Sequence, residues 1–355
     1  MTAKTLKKIK LLRHHLSQYR KEMKKRKTSF KRRRHKRVIA RNVEIQTIRD
    51  IVRTQPINMP APKDFSLVDN TNKVVGYLND CRVKLHRDKK ITIDISQIES
   101  LSTDAIALLV ACVNDNSFLG QYGQVIGNAP SKIELTKLFV ESGFYQHVQP
   151  ENQMLKNINK ADENLLHRES NYQVQSEIAK KACLLGTRHV FNNERPFPIL
   201  YEMLIEAMSN THNHANEKQK GKTKWWLYVY NAPNGKTCYS FVDLGVGIFD
   251  SVPVALYKRL ARFLNISHNA ELVPDLLEGK IKSREKVDQN IRGKGIPQIA
   301  RNSENNHIRR AYIISNDVKV DLKTKQAERL DNNFKGTFLY WELINPNDIE
   351  YGKEH

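Results

Sequence analysis

Nowhere do 18 apolar residues run together, so no segment reads as a membrane span. The N-terminus is basic and has no apolar core, so it does not read as a secretory leader. Cysteine is scarce. Cys81, Cys112, Cys183 and Cys238 are scattered and never form a CxxC pair. That argues against a zinc site or a disulfide framework and fits a reducing cytoplasm. Acidic residues are nearly missing from the first 41 positions, where Glu22 stands alone among 18 Lys and Arg. Beyond them, 41 Lys and Arg face 37 Asp and Glu, so most of the net charge of +21 belongs to the tail.

What the tail does have is cationic runs, Lys24-Lys25-Arg26-Lys27 and Lys31-Arg32-Arg33-Arg34-His35-Lys36-Arg37. Self-repulsion should keep much of it open, with at most a partial helix. It reads as an arm for a polyanion (DNA, RNA or anionic lipid), binding without regard to sequence because no base-reading motif accompanies it. The alternative is a solvated tail with no binding role.

At 355 residues the chain has room for two domains of ordinary size. The pattern divides it into an arm over 1–55, a small α/β domain over 63–150, a helical connector over 151–190 and a second domain over 191–348. Prolines between Pro56 and Pro62 suggest a linker. Helix is expected over Lys73–Leu85, strand over Ile91–Ile95, and an apolar helix over Thr103–Asn116 capped by Ser102 or Thr103. A strand over Gln124–Gly127 and a helix over Ser131–Glu141, closed by Gly143, complete an alternation that predicts a parallel sheet. The polar stretch that follows is expected to be partly helical, over Glu163–Leu185.

In the second half, Arg195-Pro196-Phe197-Pro198 opens a helix with Leu200, Leu204, Ala207 and Met208 on one stripe. Glu202, Glu206, Asn210 and His214 recur every fourth residue and form a polar ridge. Strands are expected over Lys224–Tyr230 and Cys238–Val242, joined by a turn at Asn234-Gly235. The second strand runs into Asp243-Leu244-Gly245-Val246-Gly247-Ile248. Two spaced glycines let backbone approach a flat ligand, and a carboxylate accepts hydrogen bonds from an exocyclic amine such as adenine's. Arg292-Gly293-Lys294-Gly295-Ile296 opens another helix, whose N–H groups and lysine suit phosphate. Strands over Arg309–Leu322 and Phe334–Leu343, with Gly336-Thr337 at the head of the last, close the pattern.

Two resemblances follow. Ile93-Asp94-Ile95 leading to Ser102-Thr103-Asp104-Ala105-Ile106 is similar to the strand-turn-helix of STAS domains, in which a serine is phosphorylated by a partner kinase. Here Asp104 occupies the second serine position, so that resemblance implies a lost site or a fixed charge. The ordered motifs Glu206…Asn210, Asp243-x-Gly245-x-Gly247, Gly293-Lys294-Gly295 and Gly336-Thr337 resemble the GHKL ATPase superfamily, closest to the anti-sigma serine kinases. The expected fold class is therefore α/β, a small STAS-like domain followed by a GHKL (Bergerat) α/β sandwich. The resemblance implies ATP and Mg²⁺ as cofactors. It implies that Asn210 is the metal ligand, Asp243 the adenine reader, and Gly245 and Gly247 the walls of the base pocket. Gly293, Lys294 and Gly295 would form a lid over the phosphates within residues 249–292 and beyond, Thr337 would sit behind the base, and Glu206 would be the catalytic base.

Several lookalikes are set aside. Gly221-Lys222-Thr223 and Gly235-Lys236-Thr237 lack the first P-loop glycine, whose places Asn216 and Tyr230 take. His212 and His214 point apart on a helix, and Trp225-Trp226 reads as strand core and rim. Three functions compete: an ATP-hydrolysing regulatory switch, a serine/threonine kinase acting on Ser102 or Thr103 of its own STAS-like domain, and a non-enzymatic nucleic-acid-binding scaffold. A protein partner for the STAS-like domain and a homodimer are further expectations.

Overall fold

The computed structural model describes residues 14, 17–25, 55–87, 90–121, 123–150, 166–215, 220–251, 268–280 and 295–349. Residues 1–55 and 56–355 are two separate compact units. In the first, residues 17–25 are helical, and the cationic run Lys31–Arg37 lies outside the described residues.

The second unit opens with β1 (Ile57–Pro60), β2 (Asp64–Phe65) and α1 (Thr71–Leu85). The proline-rich stretch expected to be a linker is thus a strand. It pairs in parallel with β3 (Lys90–Asp94), Ile57 opposite Ile91, at a sheet edge where proline costs no ladder bond. After β3 come β4 (Ser100–Leu101), α2 (Thr103–Val113), α3 (Asn116–Leu119), β5 (Gln124–Gly127), α4 (Ile133–Glu141), α5 (Phe144–His147) and β6 (Gln149–Pro150). Strands β1, β3, β5 and β6 form a parallel sheet in the order β1-β3-β5-β6, and β2 pairs separately with β4. The expected parallel α/β layer is therefore present.

Next come β7 (Leu166–Asn171), α6 (Ser176–Phe191), α7 (Pro198–His214), β8 (Trp225–Asn231), β9 (Thr237–Asp243) and α8 (Ile248–Ser251). Of the stretch expected to be partly helical, Ser176–Leu185 does lie in α6, and its start is corrected. Residues 166–171 are strand, because Leu166 and His167 are buried and the segment pairs antiparallel with β8. A short 3₁₀ turn (Asn269–Leu272), α9 (Val273–Leu277), α10 (Gly295–Ser303), β10 (Ile308–Asp321), β11 (Ala327–Leu343) and α11 (Pro346–Ile349) complete the chain. Five antiparallel strands form a second sheet in the order β10-β11-β9-β8-β7.

Strand periodicity divides the residues of this second sheet between two cores. Trp225, Leu227, Tyr239, Phe241, Leu339 and Trp341 pack with helices α6, α7 and α10. Trp226, Tyr228, Val242, Phe338 and Tyr340 belong instead to the core built with the parallel layer. Helix α2 explains the join. It is apolar on every side, and all eleven of its residues are buried. It contacts β8 and β9 and shares one core with Ile91, Ile93 and Val125. Its Asp104 is buried at 2% exposure. The carboxylate accepts from the backbone N–H groups of Val68 at 2.9 Å, Leu67 at 3.3 Å and Ala105 at 2.5 Å, and from the Ser102 hydroxyl. The same 66–69 loop is tied to β10 by Lys319 Nζ, which donates to Val68 O at 2.7 Å, and by an Arg310–Asp69 ion pair. Further along, Arg168 and Tyr228 both donate to Ser142 O, at 2.7 and 3.0 Å.

Candidate functional site

Helix α7 starts at Pro198, which already lacks the N–H that a first turn leaves unpaired. Its stripe of Leu200, Leu204, Ala207 and Met208 is buried against the antiparallel sheet, which turns the Glu202–His214 ridge towards α10 and a cleft. Glu202 anchors α10, accepting from Gln298 Nε2 at 3.2 Å and Asn302 Nδ2 at 3.1 Å. One turn on, Glu206 and Asn210 face the start of α10 so closely that a larger residue at Gly295 would displace their side-chain ends. A Cβ on Gly295 would lie 2.6 Å from Asn210 Oδ1 and 3.0 Å from Glu206 Oε2. Asn210 Nδ2 is buried and has no hydrogen-bond partner among the described residues. Burial, and then the neighbouring Glu202 charge, raises the Glu206 carboxyl above its ordinary value.

The cleft encloses about 830 Å³ including its open mouth, and Asn210, Asp243, Gly247, Ile296, Thr337 and Leu339 are among its walls. Asp243 ends β9 and is 3% exposed. Its Oδ1 accepts from Gly245 N at 2.9 Å and its Oδ2 from Thr211 Oγ1 at 3.1 Å. Burial pushes its carboxyl up to about 6, while those donors and Thr337 pull the other way. It is thus a desolvated acceptor, mostly ionised at neutral pH and aimed into a cavity.

The glycines shape the wall beside it. Gly245 passes so close to the end of α7 that a Cβ would sit 2.5 Å from Ala215 O. Gly247 has φ +85°, and a Cβ would meet Asn316 Oδ1 at 2.3 Å.

Sequence reasoning missed what holds this loop. Ser315 Oγ accepts from Ile248 N at 2.8 Å and donates to Gly336 O at 2.7 Å. Asn316 Oδ1 accepts from Phe249 N at 3.1 Å, and Asn316 Nδ2 donates to Val246 O at 3.1 Å and Asp250 Oδ2 at 2.9 Å. Asn316 sits at φ +54° in a break of the β10–β11 register. The signal was a polar Ser-Asn-Asp triplet inside an otherwise β-branched, apolar strand.

Of the expected site residues, the structure gathers Asn210, Asp243, Gly247, Gly295 and Thr337 on one cleft, with Glu206 beside Asn210 and Gly245 behind Asp243. Gly293 and Lys294 lie outside the described residues, as does most of 249–292. His212 and His214 diverge. His212 Nδ1 meets Tyr172 O at 3.2 Å and His214 lines the cleft. Both tryptophans are core, Trp225 stacked on Phe241 at 5.8 Å and Trp226 at 9% exposure. Among the described residues, no group of three or more His, Cys, Asp and Glu could hold a metal ion by itself. Comparison with protein-family models, curated proteins and solved structures gives no match. No described helix is long and apolar enough to cross a membrane.

Proposed function

We propose that this cleft binds ATP with Mg²⁺ in the manner of the GHKL superfamily, and that the chain hydrolyses it slowly as a regulatory switch. The observation that carries the reading is Asp243, a buried carboxylate at a cavity wall whose neighbours are glycines and apolar side chains. A carboxylate so placed accepts from an exocyclic amine such as adenine's. The apolar walls, Ile296 and Leu339 among them, suit the faces of a base.

Asn210 fits the cation. Its amide oxygen adjoins the start of α10, where backbone N–H groups suit phosphate. Mg²⁺ takes few protein ligands and fills its shell with phosphate oxygens and water, so one amide oxygen suffices. When bound, the cation would neutralise charge on the transferring phosphoryl group. Glu206, one turn before Asn210 and with its proton affinity raised by burial, is placed to take a proton from a water molecule.

The position of α2 supports hydrolysis over phosphorylation of the chain's own Thr103. Phe241, Asp243 and Leu339 face the cleft, whereas Val242 and Phe338 face the core that contains α2. Thr103 is 7% exposed on the far side of that sheet. A phosphoryl group leaving the cleft would have to cross a packed sheet to reach it. On this reading the STAS-like layer serves as a docking or relay element.

Incubation with γ-labelled ATP tests the choice. Free labelled phosphate is the expected product. Label retained on the protein would favour the kinase reading, and neither product would favour a scaffold.

A further inference from the structure

A second cleft lies behind the same loop. Its walls are residues 114–117, Lys222–Lys224 just before β8, Trp226, Leu244–Val246, and Lys335 of β11, with Tyr172 at the rim, and it spans about 1140 Å³ open to solvent. The chain from Asp243 to Ile248 separates the two spaces. Asp243, Gly247 and Ile248 border the first cleft, and Leu244, Gly245 and Val246 border the second.

Three lysines border the second space, Lys222, Lys224 and Lys335, and none has a carboxylate partner among the described residues. Its one acid, Asp115, already caps α3, accepting from Ser117 N at 2.7 Å and Phe118 N at 3.1 Å. Lys224 Nζ lies 4.1 Å from the centre of the Trp226 ring, and burial lowers its ammonium below the ordinary lysine value. A half-buried cation without an anion gains from one that arrives. The Asn116 amide and the Thr223 hydroxyl, also without partners among the described residues, add donors of the type that phosphate oxygens accept. Tyr172, 48% exposed at the rim, adds an aromatic face for a base.

From this arrangement we infer that the cleft is a second anion site, which binds the phosphate esters of a nucleotide or a short single strand. It is separate from the ATP reading and stands or falls without it.

Tryptophan emission of the full chain tests it. All three tryptophans, Trp225, Trp226 and Trp341, lie in the second unit and none in the basic arm. The probes are a thymidine hexanucleotide and thymidine monophosphate, because thymine has no exocyclic amine for Asp243. The expected result is a saturable change as phosphate draws Lys224 off the Trp226 ring, absent in Trp226→Phe. Lys222→Gln/Lys335→Gln alters two exposed side chains and should raise the midpoint at least about fivefold. It should also lower the salt slope for the hexanucleotide by roughly two. Equal midpoints for the two probes assign a single phosphate ester, and a weaker monophosphate assigns a strand. No saturable change with either probe, or a double variant that titrates like the parent, overturns the site.

Discussion

Thr211 Oγ1 donates to Asp243 Oδ2 at 3.1 Å, joining the helix that carries Asn210 to the strand that ends in the buried carboxylate. Neither residue is free to move alone, since Thr211 is 2% and Asp243 3% exposed. Thr211→Val keeps the shape and removes the donor. The expected cost is about 1.5–3 kcal/mol of stability, the usual worth of a hydrogen bond to a charged group, read by urea denaturation. The Asp243 carboxyl should rise further, so ATP binding should weaken at pH 6.5 more than at pH 8.

The pH dependence of the parent has a definite sign. The Asp243 carboxyl is raised to about 6, so binding that needs the ionised form is complete well above that value and falls away as pH drops through it. Stability moves the other way. A carboxyl whose folded value exceeds its unfolded one favours folding when protonated, so its ionisation costs stability as pH rises from about 4 through 6. Asp243→Asn removes that cost, which a shift of about two units sets near 3 kcal/mol. Thermal melts should show the variant gaining on the parent between pH 5 and 7.5. A constant difference over that range would contradict an ionisable, buried Asp243.

Glu206→Gln keeps the size of the side chain and removes the base. Nucleotide should still bind, while phosphate release slows by about 10²-fold, the usual contribution of a general base. Equal turnover in variant and parent would remove Glu206 from the chemistry.

Asp104 makes a contrasting prediction. Its carboxylate serves the N–H groups of Leu67, Val68 and Ala105 between two packed layers. Asp104→Ala strands these donors and should cost about 2–4 kcal/mol in chemical denaturation. The residue lies across the sheet from the cleft, so ATP affinity at a temperature where the variant is folded should change less than about twofold. Loss of affinity without loss of stability would mean that this helix does more than hold the layers together.

Much of this was legible in the sequence where a residue type has one physical use. The spacing of Glu206 and Asn210, the carboxylate before two spaced glycines, and the period-two strands around them announced a cleft with a polar floor. The parallel layer was legible for the same reason, its strands being short, β-branched and separated by helices. Other features depended on partners far away in sequence. Pro56–Pro62 reads as a linker until Ile57 finds Ile91, and Leu166–Asn171 reads as polar connector until β8 covers its inner side. The polar Ser315-Asn316-Asp317 triplet marks an irregular point in its strand, but nothing local names Gly247 as what it braces, since the loop it holds is nearly seventy residues upstream. A second overlooked local cue was α2. A helix with no polar face requires cover on both sides, and that requirement predicts the joining of the two sheets.

Calorimetric titration of the full-length chain with ATP in the presence of Mg²⁺ tests the central claim most directly. The expected result is saturable binding of one nucleotide per chain. Asp243→Asn should bind at least about tenfold more weakly, the loss of one charge-assisted hydrogen bond. No saturable heat from the parent, or equal affinity in parent and variant, would contradict adenine recognition by Asp243.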